Sequence, residues 1–333
     1  MRPGDAGTTA DRGPDLSIAS TIGVMLTRVC SLRCPYCFAV DELETSGHMS
    51  PEAFAGVLAF FDRHRGLKAV ALAGGEPTMN PAFEEILDLA RQREGVTVHL
   101  LTNGIFDVPT REALGRFEPH RLGLLINVND PRRVGAARFA TIEENLAALA
   151  HYPVTLGINF YDASTPHEHV VDLARRHGCD LRWSVAHPVG GAPVYVTPEM
   201  FPEVRTTIRA FLASARAAGV HAAVDCGASL CIFEDQEIAA DRYQLLRDNR
   251  FVCDPPVVVD PDSNVFFCFE GHETRRQLTS FADLGQLAGW LWSKLQTKGQ
   301  YYWLEACEGC SYAERKLCGG GCPHHASRAP GER

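Results

Sequence analysis

Three cysteines lie within eight residues near the start of the chain, in the stretch CSLRCPYCF at 30–38. Cys30, Cys34 and Cys37 are separated by three and then two residues. Structural zinc would need a fourth ligand from elsewhere, and a redox Cys-x-x-Cys pair would leave Cys30 unused. A [4Fe–4S] cluster held by three thiolates leaves one iron able to bind a small molecule. This last hypothesis is the one that uses the absence of a fourth cysteine.

The composition of the whole chain limits the possible partners and compartments. Its 333 residues include 12 cysteines, carry a formal net charge of -9 and are 45% hydrophobic. An anionic surface disfavours nucleic acid and anionic membranes as partners, and no apolar run approaches the roughly 20 residues of a membrane span. The polar segment 1–19 is expected to be a flexible tail and not a signal peptide. We therefore expect a cytoplasmic protein, in which clustered cysteines indicate metal before disulfides.

Short apolar stretches alternate with amphipathic stretches over the first two thirds of the chain. The apolar stretches are typical of parallel strands buried on both faces: 21–29, 68–73, 96–101, 122–128, 154–160 and 181–186. Helices are expected at 51–64, 81–92 and 198–217, each with a proline at its first position and a capping residue before it. Six strand–helix units predict an α/β fold, a partial (β/α)6 TIM-like barrel, with ligands at the carboxyl ends of the strands.

The strand–helix alternation ends near residue 218. A hairpin with an Asp-Ser-Asn turn is expected at 255–270, and a cysteine-rich segment follows it. Eight of the cysteines lie between 226 and 322. We therefore predict a barrel over 20–218 and a C-terminal cysteine-rich, auxiliary-cluster domain over 219–333.

The stretch CSLRCPYCF resembles the signature of the radical S-adenosylmethionine (radical SAM) superfamily, whose members have a partial six-unit barrel. The resemblance implies that Cys30, Cys34 and Cys37 hold a [4Fe–4S] cluster and that its open iron is chelated by S-adenosylmethionine. The aromatic Tyr36 before the last cysteine also fits. An electron from a donor such as flavodoxin or ferredoxin would then cleave the cofactor to a 5′-deoxyadenosyl radical, which takes a hydrogen atom from the substrate.

A second stretch, AGGEPTMNP at 73–81, supports the same resemblance. It is similar to the family's GGEP motif, in which the backbone and the glutamate contact the methionine ammonium group. Gly74, Gly75, Glu76 and Pro77 match that motif. The alternative is a tight turn into the next helix.

Polar residues at the ends of later strands are further candidates for cofactor binding. The family often places a polar residue on the ribose after the fourth strand, where Asn127 and then Asn129 stand. Asn159 on the fifth strand is a third candidate. For each of them the alternative is a strand-end cap. The sequence TNG at 102–104 is common after the third strand in this family, but a turn explains it equally well.

The C-terminal cysteines resemble the auxiliary-cluster extensions called SPASM or twitch domains. The metal ligands that this resemblance implies are Cys253, Cys268, Cys307, Cys310, Cys318 and Cys322. The stretch SNVFFC at 263–268 matches the family's hairpin, except that Ser263 stands where glycine is usual. A zinc knuckle on the last four cysteines is the alternative.

A full SPASM domain ends with a further cysteine that this sequence lacks, so the ligand sets stay open. In one arrangement a first cluster has four ligands: Cys253, Cys268, Cys322 and either Cys226 or Cys231. A second site then has three: Cys307, Cys310 and Cys318. That second site is absent, takes His324 or His325, or keeps an open iron. The other arrangement is a single twitch-like cluster on Cys253, Cys268, Cys307 and Cys310. Cys179 is expected to be a buried structural thiol.

Three functions from different classes follow from these patterns. The favoured one is a radical SAM enzyme that abstracts a hydrogen atom from a peptide or natural-product intermediate, with one or two auxiliary iron–sulfur clusters in electron transfer or substrate binding. The second is sulfur insertion at an incompletely ligated auxiliary cluster. The third is a non-enzymatic zinc or iron–sulfur binding protein. The acid–base residue is unidentified among four candidates: Asp225, Glu234, Asp254 and Tyr161.

Overall fold

The structure is a computed structural model that describes most of the chain. The described residues are 20–37, 39–44, 46–63, 66–187, 194–226, 228–240, 251, 256–268, 275–297 and 307–322. Several predictions fall outside them: the tail at 1–19, Cys253, Asp254, His324 and His325. No helix within the described ranges is long and apolar enough to cross a membrane.

Seven strands follow one another along the chain, and each pairs in parallel with the next: β1 (Thr21–Met25), β2 (Ala69–Ala73), β3 (Thr97–Thr102), β4 (Leu122–Asn127), β5 (Val154–Phe160), β6 (Asp180–Val185) and β7 (Ala222–Val224). Consecutive side chains are buried in β2, β4 and β5, as expected for strands covered on both faces. The six strands predicted from the first two thirds of the sequence are therefore confirmed.

A C-terminal hairpin extends the sheet on the other side of β1: β8 (Val257–Val259) and β9 (Asn264–Phe267), followed by β10 (Arg276–Gln277). β8 runs parallel to β1, whereas β9 and β10 are antiparallel to their neighbours. The order across the sheet is β10-β9-β8-β1-β2-β3-β4-β5-β6-β7. The predicted hairpin is confirmed. At its turn Ser263 has a φ of +62°, a conformation that glycine adopts most easily, which explains the glycine usual at this position of the motif.

Helices connect the strands and continue after them: α1 (Pro51–Asp62), α2 (Phe83–Arg91), α3 (Val108–Leu114), α4 (Pro131–Val134), α5 (Ala136–Ala148), α6 (Glu168–His177), α7 (Phe201–Ala217), α8 (Asp235–Ala239), α9 (Leu284–Thr297) and α10 (Ser311–Glu314). The start of α1 is the predicted one, because the Ser50 hydroxyl accepts the N–H of Ala53 at 3.2 Å. α7 begins at Phe201 and not at 198, since residues 198–200 form a 3-10 turn.

One apolar core joins the strands to the helices. Phe160, Trp183 and Phe211 are buried and pack edge to face, and each such side chain contributes about 1.5–3 kcal/mol to the free energy of unfolding. Val257 of β8 and Leu287 of α9 belong to the same core. Both the sheet and the core thus continue past residue 218, and a domain boundary there remains a prediction.

The predicted helix 81–92 begins two residues late because Asn80 serves another purpose. Its side-chain amide donates to the carbonyls of Leu26 at 2.8 Å and Met49 at 2.9 Å, while its oxygen accepts the N–H of Ala82 at 2.9 Å. Asn80 is 3% exposed. The side chain therefore ties the end of β1 to the start of α1 and to the loop before α2.

We expect Asn80→Ala to lower the free energy of unfolding by about 2 kcal/mol, since two buried carbonyls lose their donor. Urea unfolding of the anaerobically prepared protein, followed by circular dichroism, measures the change. Gln92→Ala, at an exposed position just after α2, is the matched control and should change little. Equal stability of the two variants would show that the Asn80 bonds contribute nothing.

Candidate cluster and cofactor site

The chain leaves the sheet after Met25, earlier than the predicted strand end at residue 29. Beyond that point its backbone bonds to the loop that precedes α1. Leu26 accepts the N–H of Met49 at 2.9 Å, and the N–H of Arg28 donates to the carbonyl of Gly47 at 2.9 Å. The N–H of Glu44 donates to the carbonyl of Arg28 at 3.1 Å. This loop therefore directs the segment that leads into the cysteines.

The other side of the same segment bonds to the GGEP motif. The N–H of Gly75 donates to the carbonyl of Thr27 at 2.7 Å, and the N–H of Glu76 donates to the carbonyl of Val29 at 2.8 Å. The approach requires glycine. Gly74 has a φ of +146°, and a Cβ there would lie 2.5 Å from the carbonyl oxygen of Thr27; a Cβ on Gly75 would lie 2.7 Å from the carbonyl carbon of Val29. The GGEP motif is thus bonded directly to the segment that leads into the cysteines.

The carboxyl group of Glu76 is buried and faces the end of β3. Its Oε1 accepts the hydroxyls of Thr102 at 2.7 Å and Thr78 at 2.8 Å, and its Oε2 accepts the N–H of Asn103 at 2.8 Å. Burial raises the pKa of this carboxyl, although these hydrogen bonds partly offset the shift. The resemblance predicted that Glu76 contacts the cofactor. In the structure both carboxyl oxygens of Glu76 accept hydrogen bonds from other residues of the protein.

The cysteine loop gathers its three partly buried thiols. The N–H of Leu32 donates to Cys30 Sγ at 3.4 Å, and the N–H of Cys37 donates to the carbonyl of Cys34 at 3.1 Å. Burial, and then the neighbouring Cys37 and Cys30, raise the pKa of Cys34 to about 12. Burial also raises the pKa of Cys30 and of Cys37. Ligation would therefore displace a proton from each sulfur.

Three predicted cofactor residues come together where β4 and β5 end. The hydroxyl of Tyr36 donates to Asn129 Oδ1 at 2.7 Å, and its ring stacks on Tyr161 with centroids 5.6 Å apart. Asn159 lies beside Tyr36 and accepts the hydroxyl of Ser184 from β6. Burial raises the pKa of Tyr36 well above its usual range, and the neighbouring Cys34 adds to the shift. These side chains form a wall next to the cysteine loop.

Asn127, the remaining strand-end candidate, is the last residue of β4. Its Oδ1 lies over Gly157 of β5, so closely that a Cβ at residue 157 would overlap it. Gly157 pairs with Asn127 across the two strands. The glycine therefore gives the asparagine side chain its room, a role that the sequence did not indicate.

Charged residues tie the cysteine segment to the C-terminal hairpin. The guanidinium of Arg28 lies 2.7 Å from Asp262 and 3.5 Å from the buried Asp260. Arg275 also contacts Asp260 at 3.5 Å and pairs with Glu42, which lies between the cysteine loop and α1. Because buried charges are costly when they lose a partner, this cluster holds the hairpin against the barrel.

Five of the predicted C-terminal metal ligands lie within the described residues. Cys307, Cys310 and Cys318 share the loop around α10, and Cys322 follows them and is 4% exposed. Cys268 directly follows β9. Of the two cysteines with an open role, Cys231 lies near Cys318 and Cys307. Cys226 instead lies beside Arg182 and His187 at the end of β6.

The remaining predicted residues described by the structure are either buried in the core or paired with arginines. Cys179 is buried as expected, and burial followed by the charge of Asp180 raises its pKa to about 11. Of the acid–base candidates, Asp225 pairs with Arg182 from β6, and Glu234 pairs with Arg205 at 2.8 Å. Neither ion pair identifies a catalytic acid or base.

The residues at the cysteine loop fit a cluster and its cofactor by their chemistry. Three thiols stand in one loop, and two glycines allow the GGEP backbone to lie directly against the segment that leads into that loop. Within the described ranges, no three His, Cys, Asp or Glu side chains converge closely enough to hold a single metal ion. A [4Fe–4S] cube is wider than an ion, so its ligating sulfurs stand farther apart.

Comparisons with known proteins agree with this geometry. A sequence model of the radical SAM superfamily matches residues 24–174. Over 84 residues the chain is 38% identical to a GTP 3′,8-cyclase of Synechocystis sp., which is 25% of each protein. Over 189 residues it is 29% identical to the mycofactocin maturase MftC of Mycobacterium tuberculosis, which is 54% of this chain and 47% of the maturase. The chain thus spans half or less of the length of these curated relatives.

Solved structures confirm the fold class. Streptococcus suis SuiB bound to S-adenosylmethionine superposes with a TM-score of 0.62 at 14% identity, over 91% of this chain and 72% of SuiB. SuiB bound to its precursor peptide SuiA gives a TM-score of 0.61 at the same identity. The α/β fold predicted from periodicity, a partial TIM-like barrel with a cysteine-rich C-terminal region, is therefore confirmed.

We expect Gly75→Ala to weaken S-adenosylmethionine binding about tenfold or more, because overpacking against Val29 costs about 1–3 kcal/mol. Equilibrium dialysis of the reconstituted protein measures the affinity, and iron analysis shows whether the cluster is retained. Gly56→Ala is the control, since a Cβ on Gly56 in α1 meets nothing within 4 Å. Unchanged affinity in Gly75→Ala would contradict the requirement for close approach.

Proposed function

We propose, since this chain belongs to the radical SAM superfamily, that it is an enzyme that abstracts a hydrogen atom from a peptide or a natural-product intermediate. The observation that carries the proposal is the direct bonding of the GGEP motif to the cysteine segment. Gly75 and Glu76 donate to the carbonyls of Thr27 and Val29, which lie within the three residues before Cys30. A cluster on the cysteines and a cofactor on the glycine backbone would then be adjacent.

Cys30, Cys34 and Cys37 would hold the [4Fe–4S] cluster, and the backbone at 74–76 would hold the methionine end of S-adenosylmethionine. When bound, these groups supply a 5′-deoxyadenosyl radical after one-electron reduction by a donor such as flavodoxin or ferredoxin. Asn127, at the end of β4, is proposed to bind the ribose. The bonds of Glu76 to Thr102 and Asn103 would keep the glycine backbone from moving, which favours a fixed distance between the cofactor and the cluster.

The wall beside the cysteine loop is proposed to exclude water from the reacting atoms. Tyr36 and Tyr161 are stacked, and hydrogen bonds involving Asn129 and Ser184 fix the side chains around them. A radical is quenched by any nearby hydrogen donor, so a closed site prevents side reactions. The residues 219–333 are proposed to form the auxiliary-cluster domain, which would transfer electrons or bind the substrate.

A peptide is the favoured substrate class. One relative, MftC, is a maturase, and SuiB is seen with a precursor peptide. The second candidate, sulfur insertion, depends on an incompletely ligated auxiliary cluster.

We expect the anaerobically reconstituted and reduced protein to form 5′-deoxyadenosine from S-adenosylmethionine, and Cys34→Ala to fall to the background of protein without iron. The reason is that two thiolates do not retain a cluster with an open iron in this loop. Chromatography of the quenched reaction measures the product. A wild-type protein with an intact cluster that forms no 5′-deoxyadenosine would overturn the proposed function.

A second substitution separates the two ends of the chain. Cys307→Ser should leave cofactor cleavage close to the wild-type rate, because Cys307 belongs to the loop around α10 and not to the cysteine loop after β1. Turnover of a candidate peptide, followed by mass spectrometry, should stop in the same variant. If modified peptide still accumulates, the auxiliary site has no part in the reaction.

A further inference from the structure

The loop around α10 brings three cysteines together. The N–H of Cys310 donates to the carbonyl of Cys307 at 3.2 Å, which places the two residues in one turn. After α10 the chain folds back, since the carbonyl of Tyr312 accepts the N–H groups of Leu317 at 2.9 Å and Cys318 at 3.4 Å. The loop therefore presents Cys307, Cys310 and Cys318 from one compact segment, one ligand short of a four-thiolate site.

A turn at residues 230–232, distant in sequence, contacts this loop. Residues 230–232 form a 3-10 turn, and the N–H of Leu230 donates to Cys318 Sγ at 3.4 Å. The turn is held from the other side by α7, because Arg205 donates to the carbonyl of Ile232 at 2.5 Å. Leu230 and Ile232 are buried. The residue between them, Cys231, is therefore held in a fixed place beside the loop around α10.

The backbone beside Cys231 meets that loop at the sulfur of Cys318. Leu230, the residue before Cys231, is the one whose N–H donates to Cys318 Sγ at 3.4 Å. The sulfur of Cys231 lies 3.1 Å from the hydroxyl of the buried Ser229.

We propose that Cys231 is the fourth ligand of an auxiliary iron–sulfur cluster whose other ligands are Cys307, Cys310 and Cys318. The inference rests on the proposed iron–sulfur function of the C-terminal region. Cys231 would replace, from upstream, the cysteine that a full SPASM domain has after the position of Cys322. A [4Fe–4S] cluster with four thiolates has no open iron, so this site would transfer electrons and would not bind substrate or donate sulfur.

The hydrogen bonds around Cys318 agree with this assignment. Its sulfur accepts the N–H of Gly320 at 3.4 Å in addition to that of Leu230. N–H groups directed at a ligating sulfur stabilise its negative charge and raise the reduction potential of a cluster. The turn that supplies Cys231 thus also supplies one of these donors.

The first test counts iron in a background that lacks the cofactor cluster. In Cys30→Ala/Cys34→Ala/Cys37→Ala, any iron bound after anaerobic reconstitution belongs to auxiliary sites. Adding Cys231→Ser should remove about four irons per chain, or leave a three-iron cluster with its own EPR signal. Adding Cys179→Ala instead, at a buried thiol that belongs to none of the proposed ligand sets, is the control and should leave both the iron content and the EPR spectrum unchanged.

The second test needs no substitution and therefore no assumption about folding. Cys231 is exposed in the structure. Alkylation of the reconstituted protein with iodoacetamide, followed by peptide mass spectrometry, should spare Cys231. After chelation of the iron, Cys231 should be labelled. Labelling of Cys231 in the iron-loaded protein, or full iron and an unchanged spectrum in Cys231→Ser, would overturn the assignment, and so would zinc in place of iron at this site.

The same samples keep this inference separate from the proposed function. The single variant Cys231→Ser should still form 5′-deoxyadenosine, because the cofactor cluster is ligated elsewhere. If wild-type protein forms none, the proposed function fails, while the iron count and the labelling still decide the role of Cys231. If the triple variant binds no iron at all, the auxiliary cluster and this inference both fail.

Discussion

Two backbone hydrogen bonds, from Gly75 to Thr27 and from Glu76 to Val29, determine how the first two strands end. They exist because neither Gly74 nor Gly75 has a side chain in the gap between the two segments. The two segments therefore stay hydrogen-bonded to each other after β1 and β2 have ended. The cysteine loop takes its direction from this contact.

Further bonds make the contact rigid from both sides. The buried carboxyl of Glu76 reaches the end of β3, and the buried amide of Asn80 reaches back to Leu26 and Met49. On the far side, Arg28 meets Asp260 and Asp262 of the C-terminal hairpin. A group with a high desolvation cost occupies each of these places, so each is stable only when its partners are correctly placed. The stability of this region therefore depends on a few polar groups, and none of them can move without breaking a hydrogen bond or an ion pair to another segment.

Sequence reasoning recovered what depends on local spacing. The strands were found from runs of apolar residues, and the cysteine loop from three thiols within eight residues. Contacts between distant residues were not recoverable in this way. Asn80 was read as a helix cap, although it bonds to Leu26 and Met49, and Gly157 gave no signal of the space it leaves for Asn127. Cys231 was one of two equivalent candidates until the structure placed it near Cys318, 87 positions along the chain.

The pairing of β8 with β1 also affects folding during synthesis and the outcome of proteolysis. β1 precedes β8 by more than 230 residues, so this edge of the sheet stays uncovered until synthesis has passed residue 257 of 333. During that interval β1 has a row of unpaired N–H and C=O groups, which favours association with other chains. A protein shortened before β8 would keep that edge permanently. Proteolysis that removes β8 should therefore produce aggregates before it produces a smaller folded barrel.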